Sequence, residues 1–263
     1  MSTGPRVPHQ GGPAARSLLA DACALRAAHL TDGYGLAYGS HTDGGAGATS
    51  DLDLLLVGDE PLTAEQVRAL TGDVIGLHRR HGLALDQEVS YESKLHATTG
   101  QVERATALGG FTATAEGDIV VDPVVVEPWF LNSAPFKLRL TLNALTVPHV
   151  FLGGDLALYD RHRLRAERAV ALLALSLLEG HEEFTAGDAA AALLGRPPQH
   201  GEDFLGYDER ACRPAALFGL LQRALAALEQ EGAVSTGGGV RLRQYPERRR
   251  QLVLELAAQV AGA

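Results

Sequence analysis

The stretch from Gly39-Ser40 through residues 41–50 to Asp51-Leu52-Asp53-Leu54-Leu55-Leu56-Val57 constrains this chain more than any other. A strand presents side chains at i and i+2 on the same face. Asp51 and Asp53 are therefore expected to project together from a strand over Asp51–Val57, with Leu52, Leu54 and Val57 anchoring it. Two carboxylates held side by side repel unless a cation neutralises them. Their hard oxygens favour Mg²⁺, which completes its shell with water and substrate phosphates. A tight turn at Gly39-Ser40 brings backbone amides and a hydroxyl close to those phosphates.

The string GSHTDGGAGATSDLDLLLV, Gly39 to Val57, resembles the signature of the nucleotidyltransferase superfamily related to DNA polymerase beta. It is similar in particular to the corresponding loop of aminoglycoside adenylyltransferases of the streptomycin and spectinomycin type, including the internal Asp43-Gly44-Gly45 and Ser50 before the first aspartate. The similarity runs from Leu36 to Val89 and bears on reaction class more than on the molecule modified. It implies transfer of NMP from an NTP, with ATP expected, to an acceptor hydroxyl, expelling pyrophosphate. Asp51 and Asp53 then hold Mg²⁺, and Gly39, Ser40 and Ser50 face the phosphates.

A third strand is expected over Leu83–Tyr91, carrying Asp86 and Glu88 on one face. Glu88, followed by Val89, resembles the family's third acidic residue, which acts as a metal ligand or as the general base for the acceptor's proton. Asp86 is the competing choice. Lys94 either approaches a phosphate or is simply solvated, and His41 and Asp43 sit in the phosphate-loop region. Trp129 and Phe130 near Asn132 offer an aromatic platform or ordinary core packing. His78 and His81 lie three apart on an expected helix with no third ligand in sight, which argues against zinc.

At 263 residues and 46% hydrophobic, the chain can form one large domain or, as expected here, two modest ones. A formal net charge of −9 argues against a broad nucleic-acid-binding surface. Only Cys23 and Cys212 are present, so neither a disulfide scaffold nor a cysteine-rich zinc site is expected. No apolar run is long enough to span a membrane and the N-terminus lacks a signal-peptide core, so a cytoplasmic location is expected.

The expected fold class is α+β. Residues 1–13 read as a flexible lead-in, 14–150 as a small mixed β-sheet catalytic domain with helices, and 151–263 as a mainly helical domain. In the first domain, helices are expected over Ala14–Leu30 and Thr63–His81, with Thr63 and Gln66 as a capping box and Gly82 as a stop. Leu36-Ala37-Tyr38 is the expected first strand, Ile119–Val126 another strand interrupted by Pro123, and Lys137–Leu145 a helix. Val150–Tyr159, with Gly153-Gly154, reads as a linker. Beyond it, helices are expected over Arg163–Glu179, Ala186–Leu194, Ala215–Glu231 and Pro246–Val260, with a hairpin over Ala233–Leu242. That order is compatible with a winged helix or with a helical bundle bearing one hairpin. The leading expectation is an enzyme acting on a small hydroxylated acceptor; a protein-modifying nucleotidyltransferase and a nucleotide-sensing regulator are the alternatives.

Overall fold

In a computed structural model of the protein, residues 13–43, 50–85, 95–106, 111–113, 119–121, 141, 144–177, 185–194, 214–230, 234–235 and 241–242 are described. The described residues fall into two compact units, one within Met1–Val102 and Val147–Arg161, the other within Glu103–Thr146 and His162–Ala263. The protein is α+β, with a small mixed sheet of four strands and several helices.

The first unit contains α1 (Pro13–His29), β1 (Tyr34–Tyr38), α2 (Ser40–Asp43), β2 (Asp53–Gly58), α3 (Ala64–His81), β3 (His96–Thr98) and β6 (His149–Gly154). The sheet order is β3-β2-β1-β6. β1 runs antiparallel to β2 and β6, whereas β2 and β3 are parallel. A parallel neighbour requires a crossover, and α3 lies in that connection.

Alternation along the strands sorts their residues onto two faces. Leu52, Leu54, Leu56, Ala37 and Leu152 pack with Leu18, Ala22 and Leu25 of α1 and Leu70, Val74 and Leu77 of α3. The opposite face carries Tyr34, Leu36, Tyr38, Leu55 and Val57, which are also buried. Tyr159 covers part of that face, its ring 5.6 Å from Tyr34 and 4.8 Å from Phe151. Burial on both faces explains why β2 reads as a continuous apolar run rather than an alternating one.

α3 begins and ends where its sequence signals say. The Thr63 hydroxyl accepts from the Gln66 amide, the Gln66 side chain accepts from the Thr63 amide, and Gly82 closes the helix in the left-handed region. His29 and His81 then pin α1 to α3 through Asp73 at 2.7 Å and Asp21 at 2.9 Å.

The segment expected to be a linker is instead β6 followed by the first turn of α5 (Leu156–Leu177). Val150 and Leu152 are buried beside β1, and Gly153-Gly154 end the strand in positive-φ conformations. A Cβ at Gly154 would collide with the Gly33 carbonyl, so this glycine permits close backbone approach.

The second unit holds α4 (Thr99–Ala105) from Glu103 onward, the ribbon β4 (Phe111–Ala113) with β5 (Ile119–Val121), and α5 from His162 onward. It also holds α6 (Ala186–Leu194), α7 (Pro214–Gln230) and the ribbon β7 (Val234–Ser235) with β8 (Arg241–Leu242). Leu220, Leu221, Ala224, Leu225 and Leu228 form the buried face of α7. The buried Glu167 carboxylate joins α5 to α7, accepting from Arg163 at 3.0 Å and Arg223 at 2.7 Å. Pro123, the hairpin's glycine turn and the helix expected over Pro246–Val260 lie outside the described residues.

Candidate functional site

β1 stops at Tyr38 because Gly39 turns the chain, with φ at +86°. A Cβ on Gly39 would lie 2.7 Å from Asp53 Oδ2, so the glycine lets the turn sit directly against that carboxylate. Ser40 opens the short helix α2. The Thr42 hydroxyl lies 2.7 Å from the carbonyl oxygens of both Gly39 and Pro148, sharing its proton between them. The turn is thereby tied to the segment entering β6.

Asp53 is the first residue of β2 and is paired with Tyr38, which is paired on its other side with His149. Directly opposed residues of antiparallel strands share a face. Asp53, Tyr38 and His149 thus stand in a row across three strands, on the face away from α1 and α3. With strands about 4.8 Å apart, the row spans about 10 Å. His149 donates from Nδ1 to the Val147 carbonyl and accepts at Nε2 from the Tyr159 hydroxyl, both at 2.7 Å.

Asp51 lies two residues before β2 rather than inside a strand over Asp51–Val57. The reason is local: β1 ends opposite Asp53, so no ladder partner remains for the preceding backbone. The Leu52 amide instead donates to His78 Nε2 at 3.2 Å, and His78 Nδ1 donates to the Val74 carbonyl at 2.8 Å. Asp51 and Asp53 are half-buried on either side of the buried Leu52.

Ser50 ties these segments together. Its carbonyl accepts from His41 Nε2 at 3.3 Å and from the Ala84 amide at 3.3 Å. His41 and Ser50 flank residues 44–49, which lie outside the described residues, and Ala84 sits two residues before Asp86. Leu83–Leu85 form no strand, and the strand beside β2 is His96–Thr98. The expectation of a strand starting at Leu83 is corrected on that point, because the Ala84 amide is committed to Ser50 rather than to a ladder.

Gly39, Ser40, Ser50, Asp51 and Asp53 are therefore described, and the turn and Asp53 meet directly. Asp86, Glu88 and Lys94 lie outside the described residues, as do Trp129, Phe130 and Asn132. Among the described residues no group of three or more His, Cys, Asp or Glu side chains could hold a metal ion. Carboxylates such as those of Asp51 and Asp53 are of the hard-oxygen type that Mg²⁺ takes, commonly one or two per ion. His78 and His81 do not form a pair of ligands: the first faces Leu52, and the second faces Asp21.

Sequence reasoning did not find the positions of Thr42, His78, His149 and Tyr159. Only His78 carried a signal, as a polar residue continuing the apolar face Leu70, Val74, Leu77. No family model and no curated protein matches the chain.

Proposed function

We propose that the chain is a Mg²⁺-dependent nucleotidyltransferase that moves NMP, with AMP expected, from an NTP to a hydroxyl of a small molecule. The observation that carries this reading is the approach of the Gly39 backbone to the Asp53 carboxylate, which supports a turn that binds phosphates beside an ion held by Asp53. The Ser50–Ala84 hydrogen bond supports it, because it holds Ala84, two residues before Asp86 in the sequence, against the residue that precedes Asp51. In this reading Asp51 and Asp53 hold the ion, and bound Mg²⁺ supplies charge neutralisation for the triphosphate. Amides of the Gly39 turn and the Ser40 hydroxyl bind the β- and γ-phosphates. The acceptor oxygen forms a bond to the α-phosphorus, the bond to the bridging oxygen of the β-phosphate breaks, and pyrophosphate leaves. The acceptor's proton passes to Glu88, with Asp86 as the competing base. The helix, helix and ribbon order of α6, α7 and β7-β8 supports a winged-helix-like arrangement in the second unit.

Titration calorimetry with ATP, with and without Mg²⁺, tests the binding step, and pyrophosphate release over a panel of hydroxylated metabolites and aminoglycosides tests transfer. Asp51→Asn and Asp53→Asn are each expected to abolish turnover and weaken Mg²⁺-dependent binding. Glu88→Gln is expected to keep binding while losing roughly 10²–10⁴-fold in rate if Glu88 is the base. Nucleotide binding that is indifferent to Mg²⁺ and to both aspartates would overturn the reading. Mass shifts on copurifying proteins, with none on small molecules, would point instead to protein modification.

A further inference from the structure

We infer that His78 is a positioning residue for the aspartate pair, fixing the peptide plane between Asp51 and Leu52 through its Nε2 lone pair. The inference rests on the nucleotidyltransferase reading for its functional consequence, though not for its geometry.

The hydrogen bonds on the two sides of the ring leave one protonation pattern. The Val74 carbonyl can only accept, so Nδ1 carries a proton. The Leu52 amide can only donate, so Nε2 is bare. His78 is only 3% exposed, so bulk water is a poor substitute for either partner.

The amide that His78 holds belongs to the planar unit whose carbonyl is that of Asp51. Orienting that plane sets ψ of Asp51 and φ of Leu52 together. These torsions govern how the Asp51 carboxylate is aimed relative to Asp53, which β2 already holds by its pairing with Tyr38. The ladder cannot do this for Leu52, because β1 has ended. A Leu at position 78 would suit the apolar neighbours Leu70, Val74 and Leu77 but would leave a buried amide unpaired. The imidazole is thus the device by which α3 reaches across to align a segment the sheet does not reach.

The test compares the full-length wild type with His78→Gln, His78→Asn and His78→Leu. A Gln side chain can place an acceptor near the position of Nε2, whereas Asn reaches only the position of Nδ1. The affinity for ATP with Mg²⁺ is expected to fall about tenfold or more in the Asn and Leu variants and to stay within about threefold of wild type in the Gln variant. Long-range ¹H–¹⁵N correlation spectra of the wild type should show the Nδ1-protonated tautomer, with slow exchange of the Leu52 amide. A wild-type ring protonated at Nε2 overturns the inference, and so do equal affinities in all folded variants. If the Leu variant fails to fold, the Gln–Asn contrast and the wild-type tautomer decide. If the wild type binds no ATP with Mg²⁺, the nucleotidyltransferase reading fails, and the amide shifts of Asp51 and Asp53 in the variants decide the geometry. Shifts displaced in Asn but restored in Gln support the alignment, and shifts unmoved in both overturn it.

Discussion

At the scale of single residues, the turn before the aspartates is the sharpest constraint. Gly39 combines a left-handed backbone with a carboxylate oxygen where its Cβ would stand. Gly39→Val should lower the unfolding free energy in urea by about 1–3 kcal/mol, the usual cost of a non-glycine residue in such a conformation. It should also weaken Mg²⁺-dependent ATP binding at least tenfold, since the displaced carboxylate is an expected ion ligand. A folded Val variant with unchanged affinity would remove this turn from the site. The turn at Gly39 ahead of a strand carrying Asp53 was legible in one short string, whereas the direct approach of Gly39 to the Asp53 carboxylate was not, since alternation does not report it. His78 was not legible as a partner of Leu52, since no periodicity reports which backbone amide across 26 residues will be left without a ladder.

At the scale of elements, α3 was read almost to the residue because its ends are governed by local chemistry. Thr63→Ala removes the acceptor from that capping box and should cost about 1 kcal/mol in chemical denaturation. Thr63→Ser should restore most of it. The packing of α1 on α3 carries a pH signature. The hydrogen bond from His81, together with Arg80, holds the Asp21 carboxyl below its ordinary value of 3.8. A depressed carboxyl stabilises the folded state above its unfolded value, and the contribution disappears as pH falls through the lower folded value. The stability gap between wild type and Asp21→Asn should therefore be present at neutral pH and close below about pH 4, as followed by urea melts across pH. A gap that widens with acid would contradict the pairing. Strand ends were read less well than helix ends. β2 starts at Asp53, and β6 replaces an expected linker, because each limit is set by where the neighbouring β1 begins and stops. Gly153-Gly154 looked like punctuation between domains, whereas they end a strand, and Gly154 is the place where two backbones pass closely.

At the scale of the whole molecule, the first unit is assembled from two separated stretches, Met1–Val102 and Val147–Arg161. Its sheet is incomplete without β6, which supplies the ladder along all of β1. A chain ending at Thr146 would leave β1 as an open apolar edge, the kind of surface that recruits other strands. Size-exclusion chromatography should find that shortened chain aggregated; a soluble monomer with a native-like circular dichroism spectrum would show that β6 is dispensable. The same arrangement governs when the site can exist during synthesis. The Thr42 hydroxyl is held by a carbonyl 106 residues further along the chain. At translation rates of about 5–20 residues per second, the ribosome needs roughly 5–20 s to deliver Pro148 after Thr42 has been made. Throughout that interval the nascent turn lacks its tether, so the geometry around Gly39 is completed only after β6 emerges.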